Sequence, residues 1–119
     1  MKDFKNLLVW KKAHEMTLDV YRATKVLPKE ETYGLTSQLR RAASSVPANV
    51  AEGCGRNSDA ELAHFLQIAA GSASEVEYHL LLARDLKFID SKEHENLTSE
   101  IIEIKKMLNA FLKKLRAES

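Results

Sequence analysis

Four stretches of the chain repeat apolar residues at alternating steps of three and four, the rhythm of a helix with one buried side. In the first, Val9, Ala13, Met16, Val20, Ala23 and Leu27 line one face, and Trp10, His14, Thr17, Tyr21 and Thr24 run beside them. Two adjacent stripes predict a helix that buries a wide face. Pro28 closes it, because a proline pushes the preceding residue out of the α region. The second stretch carries Leu35, Leu39, Ala42, Val46, Val50 and Cys54, with Gly53 and Gly55 as its flexible exit. The third opens on Ser58–Asp59–Ala60–Glu61, a capping box in which the Ser and Glu side chains serve each other's free amides. Leu62, Phe65, Leu66, Ala69, Ala73, Val76, Leu80 and Ala83 follow it. The fourth starts at Asp90–Ser91–Lys92–Glu93, a weaker box, and continues with Leu97, Ile101, Ile104, Leu108, Phe111 and Leu115.

Strand-like alternation is absent over any useful length, and connections of about four to eight residues set successive helices antiparallel. The pattern predicts an all-α, antiparallel up-down four-helix bundle with helices at about 5–27, 34–54, 58–87 and 91–116. No linker or repeat interrupts it, so residues 1–119 form one domain.

Pro47 falls inside the second helical pattern. It lacks a backbone N–H, and its ring crowds the carbonyl of Ala43, so the helix must bend or break. The apolar phase carries on from Val46 to Val50, which favours a bend. Beside that stripe lie Arg41, Ser45, Asn49 and Glu52; the third helix offers Ser72, Glu75 and His79 next to the small residues 69–74. Small residues let two backbones approach, which predicts a partly buried network of Arg41, Ser45, Pro47, Asn49, Glu52, Ser72 and Glu75. In it Arg41 meets Glu75, and Asn49 or Ser45 satisfies the carbonyl that Pro47 frees. The same side chains also fit an ordinary solvated flank.

Composition narrows the function classes. The chain has 119 residues, 45% of them apolar and 29% charged, with four Gly, two Pro and a single Cys. That is a globular domain, and Cys54 has no internal disulfide partner. No apolar run reaches the roughly 18 residues of a membrane span, and the amino-terminal segment lacks the marks of a signal peptide. A cytoplasmic protein is expected. Net charge is +1, so charge alone does not predict nucleic-acid binding. Its distribution is uneven: residues 1–30 hold seven Lys/Arg against four acids, and residues 61–90 hold two against five.

Catalytic readings fare poorly. A carboxylate-bridged metal pair needs Glu-x-x-His on each of two helices; this chain has one, Glu61 to His64, and Glu61 already belongs to a cap. Gly53–Cys54–Gly55 follows a helix, not the strand that a phosphate loop follows. Cys54 reads as a small buried apolar residue. No enzyme, metal or cofactor is expected.

Particular runs carry a family likeness: Trp10–Lys11–Lys12–Ala13, Pro28–Lys29–Glu30, Tyr33–Gly34–Leu35, QLRRAASSVPANVAEG at 38–53, and FLQIAAGS at 65–72 with Glu75. With these the chain resembles the bacterial four-helix bundle proteins of the ribosomal-RNA intervening-sequence family, also labelled S23 ribosomal-protein-like. The resemblance implies a ring-like homopentamer. Some members are encoded within large-subunit ribosomal RNA genes, which does not make them ribosomal components. A related branch comprises accessory proteins of diversity-generating retroelements, which bind a reverse transcriptase and nucleic acid through a basic surface. The expected function is a non-catalytic oligomeric scaffold with RNA, DNA or a nucleic-acid enzyme as partner, contacted through Lys5, Lys11, Lys12, Arg22 and Arg56. The alternative is a protein-interaction adaptor whose charge is incidental. Apolar positions beyond one core stripe, Leu7, Leu8, Trp10, Leu81, Leu82, Phe88, Ile89, Ile102, Met107 and Leu112, are expected to feed subunit contacts.

Overall fold

In the computed structural model, which describes residues 2–118, the four periodic stretches are four helices: α1 (Leu8–Ala23), α2 (Leu35–Cys54), α3 (Asp59–Asp85) and α4 (Ser91–Glu118). No strand occurs among the described residues. Each helix packs on its chain neighbours, and α1 also packs on α4, which makes a square of four antiparallel members measuring 46 × 23 × 20 Å. One apolar core runs through the centre, from Met16 and Val20 to Leu39, Val46, Leu66, Val76, Ile101 and Leu108.

The first helix is shorter than the apolar stripe predicts. Asp3 caps a separate 3-10 turn at Phe4–Asn6 by accepting from the Lys5 amide at 3.1 Å, and Leu7 is extended. At the other end the chain tightens into a 3-10 turn at Thr24–Val26 before Leu27 is held extended by Pro28. There Arg40 reaches over from α2. Its Nε donates to Thr24 Oγ1 at 2.9 Å, one Nη donates to the Tyr21 carbonyl at 3.2 Å, and the guanidinium lies 4.7 Å from the Tyr21 ring centre. A cation on the last carbonyls of α1 also suits the helix dipole.

α2 runs unbroken through Pro47. The carbonyl left without its partner belongs to Ala43, and it is satisfied from another helix. Thr17 Oγ1 on α1 lies 3.1 Å from the Ala43 oxygen and 2.8 Å from that of Ala13, so one buried hydroxyl proton serves both. Asn49 and Ser45 do not take this role. Asn49 instead donates back along its own helix, to the Ser45 carbonyl at 2.8 Å and the Ser45 hydroxyl at 2.9 Å.

Glycines mark one close approach. A Cβ on Gly53 would stand 2.9 Å from Leu62 Cδ1 and 3.0 Å from Phe65 Cβ, so this glycine lets the end of α2 touch the start of α3. It is part of the helix and not its exit; Gly55 takes that place. α3 starts with the Glu61 amide donating to Ser58 Oγ at 3.1 Å, and Ser58 Oγ donating to the Glu61 carboxylate at 3.3 Å. It ends with Lys87 in the left-handed region at φ 65°, the Phe88 amide reaching the Ala83 carbonyl and the Lys87 amide reaching that of Arg84. This paired closure usually takes a glycine. Asp90 caps α4 through the Glu93 amide at 2.8 Å.

Between α1 and α4, Glu100 hydrogen-bonds Asp19, and its carboxyl is pushed up to about 7 by burial, by that bond and by the charges of Asp19, Glu15 and Glu93. Two carboxyl groups in hydrogen-bond contact need a proton between them.

Two measurements check these seams. Thr17→Val should lower unfolding free energy by about 1–3 kcal/mol, because the buried Ala43 carbonyl loses its donor. In a Pro47→Ala background, where residue 47 regains an N–H, the same change should cost half as much or less; equal costs in chemical denaturation would reject the assignment. For Glu100, the folded-state pKa lies above the ordinary 4.5, so the folded protein holds the proton more tightly. The stabilisation is complete below pH 4.5 and is lost as pH rises through about 7. The melting temperature should therefore fall across that window in the wild type, and Glu100→Gln should flatten the fall.

Candidate nucleic-acid interface

The polar side chains around Pro47 divide into two groups. Ser45 and Ser72 hydroxyls meet 2.8 Å apart across the α2–α3 seam, and Asn49 completes a half-buried trio with them. Arg41 and Glu75 are both exposed, and no bond joins them among the described residues. Glu52 is also exposed and accepts from Arg56 at 2.8 Å. The predicted network therefore loses Arg41, Glu52 and Glu75. One residue is 100° of turn on a helix: Arg40 points along the α1 seam, whereas Arg41 points to water. The small-residue run divides by the same rule, with Ala69, Ser72 and Ala73 turned inward and Gly71 and Ser74 outward.

The five predicted nucleic-acid contacts also divide. Lys12 pairs with Glu103 on α4 at 3.0 Å, and that bond raises its pKa. Arg22 pairs with Asp19 at 2.7 Å. Arg56 pairs with Glu52 and lies 4.8 Å from the Phe65 ring centre. Each of these charges is offset within the chain. Lys5, 5.9 Å from the Phe4 ring centre, and Lys11 are exposed and have no ion pair among the described residues.

The fold gathers a basic end of which this set holds only Lys5 and Arg56. The Lys2 amide donates to the Cys54 carbonyl at 3.0 Å, so the amino-terminal arm lies against the close of α2. The end of α4 arrives at the same place, where Leu115 and Arg116 line a hollow with Asp59, Ala63 and His64 of α3. Lys2, Lys5, Lys113 and Lys114 thus stand at one end of the bundle, all exposed, with Arg116 among them. The signal lay in α4. Residues 90–103 hold five acids and one lysine; residues 105–118 hold five Lys/Arg and one acid. Beside this end Trp10 stacks on His14 with ring centres 5.0 Å apart and planes 6° from parallel, and Phe4 meets Trp10 edge-on. Trp10 is half-buried and Tyr21 is engaged with Arg40.

Little in the remaining chemistry converges. Among the described residues no three His, Cys, Asp or Glu side chains gather as a metal site would require. His94 bonds Thr98 at 3.2 Å, His64 lies edge-on to Phe65, and His79 is buried with its Nδ1 unpartnered. Cys54 is 2% exposed, and burial pushes its thiol up, away from the reactive thiolate. No described helix is long and apolar enough to cross a membrane.

Comparison with known proteins agrees with the architecture. No curated protein matches the chain. The crystal structure of a protein of unknown function from the S23 ribosomal protein family of Bacteroides thetaiotaomicron superposes with a TM-score of 0.81. It is 26% identical, and the match covers 89% of this chain and 99% of that one. The family model for the 23S rRNA-intervening sequence protein matches residues 5–110, a span that holds all of α1 to α3 and most of α4. This chain therefore belongs to the 23S rRNA-intervening sequence protein family.

Proposed function

We propose that the protein is a non-catalytic scaffold that works as a ring-like homo-oligomer, pentameric as its family resemblance implies, and associates with RNA or DNA through its basic end. The observation that carries the nucleic-acid reading is the gathering of Lys2, Lys5, Lys113 and Lys114 at one end, while carboxylates offset Lys12, Arg22 and Arg56. Exposed lysines attract phosphates by releasing counterions, a term that needs no base-specific contact. A ring repeats the same end several times, and repetition turns a weak attraction into a usable one. A nucleic-acid enzyme bound to the same strand is the protein partner that fits this reading.

The adaptor reading draws on the opposite end. Tyr33 is 96% exposed and Val26 72% exposed in the α1–α2 connection. Leu86, also exposed, lies beyond α3 at that same end. Apolar side chains of that size in water favour a protein partner.

Fluorescence anisotropy with labelled single-stranded RNA and DNA across a salt series separates the two. Binding should weaken steeply with salt, and Lys113→Glu combined with Lys114→Glu should cut affinity about tenfold or more and flatten the salt slope by one to two. Lys12→Gln combined with Glu103→Gln should leave binding within about twofold, because the two charges already offset each other. Absence of binding at low ionic strength would reject the nucleic-acid reading and leave the adaptor.

A further inference from the structure

α1 and α3 never form a seam with each other; each packs on α2 and α4, so they occupy opposite corners of the square. Both carry apolar side chains on the outward face. On α1, Leu8 is 60% exposed, and Leu18 and Tyr21 are 41% exposed. On α3, Tyr78 is 57% exposed, with Ile68 and Leu81 beside it at 39% and 38%. Between Ile68 and Tyr78 lies Gly71, where an added Cβ would meet nothing within 4 Å. Mid-helix glycine weakens a helix relative to alanine, and within one chain its missing side chain makes room for nothing.

Charge indicates what covers these faces. α1 itself carries three Lys/Arg against two acids, and α3 carries five acids against one arginine. Lys11 lies on the α1 face between Leu8 and Leu18, and Glu75 lies on the α3 face between Gly71 and Tyr78. Both are exposed, and neither has an ion pair among the described residues. Two α3 faces would set Glu75 against Glu75, and two α1 faces Lys11 against Lys11. Unlike faces attract.

We propose that the outward face of α3 docks on the outward face of α1 in a second copy of this chain, with Gly71 admitting the close approach and Glu75 meeting Lys11 of that copy. The inference rests on the oligomeric part of the reading above and specifies its contact. Unlike patches at opposite corners make a head-to-tail interface, which repeats until it closes as a ring. Close helix packing at a glycine brings the backbones themselves together, so a larger side chain there separates them.

Light scattering on purified wild type, Gly71→Leu, Lys11→Glu, Glu75→Lys and the double charge swap tests this. The wild type should have a mass several times 13.4 kDa. Gly71→Leu should fall to the mass of one chain while keeping its helical circular dichroism, since the position is open and leucine favours helix. Each single charge change should lower the assembled fraction at moderate salt, and Lys11→Glu with Glu75→Lys on one chain should restore it. A monomeric wild type overturns both this interface and the oligomeric scaffold. An oligomeric wild type whose Gly71→Leu variant assembles equally well overturns the interface alone. If Gly71→Leu fails to fold, the charge pair decides, and a double swap no better than the singles overturns the proposal.

Discussion

A single hydroxyl on α1 holds the backbone of α2 to its course. Pro47 removes the amide that would have bonded the Ala43 carbonyl, and that carbonyl lies in the apolar core, where an unpaired oxygen is costly. Thr17 supplies the missing proton across the helix seam. Because of it, α2 keeps its length through position 47 and reaches α3 at Gly53, where the two helices touch backbone to side chain. The serine contact between α2 and α3 and the arrival of the amino-terminal arm at Cys54 both follow from that continuity.

The helices were legible in the sequence because burial imposes a period, and a period survives without any knowledge of the neighbours. The cap at Asp90 and the cap of Ser58 on the Glu61 amide were legible for a related reason: their partners lie three residues away. What could not be read was direction around the helix at single positions. Arg40 and Arg41 are adjacent and chemically identical, yet one clamps the end of α1 and the other faces water. Thr17 sat in a secondary stripe, and nothing local ties it to a carbonyl 26 residues away. Of ten apolar positions expected to feed subunit contacts, Ile89 and Leu112 are core, and Leu7, Trp10, Leu82, Phe88 and Met107 pack against it. Leu8, Leu81 and Ile102 remain outward. A wide core absorbed the rest.

Charge shows the same division between local and distant causes. A near-neutral total conceals a fourth helix that is acidic over one half and basic over the other. That order suits the helix dipole, and antiparallel packing then carries the basic half to the end where the amino-terminal lysines lie. Lys12, Arg22, Arg56 and Lys105 are each offset by a carboxylate within reach. Exposed pairs of this kind add little to stability. Their larger effect is to cancel the long-range attraction of those four cations.

The lone thiol has a use of its own. Cys54 is buried at the close of α2, its carbonyl accepts from the Lys2 amide, and its raised pKa keeps it protonated at neutral pH. A thiol reagent reaches it only when the structure around it opens. The rate of its alkylation is thus a clock for local opening at the end of the molecule that carries Lys2.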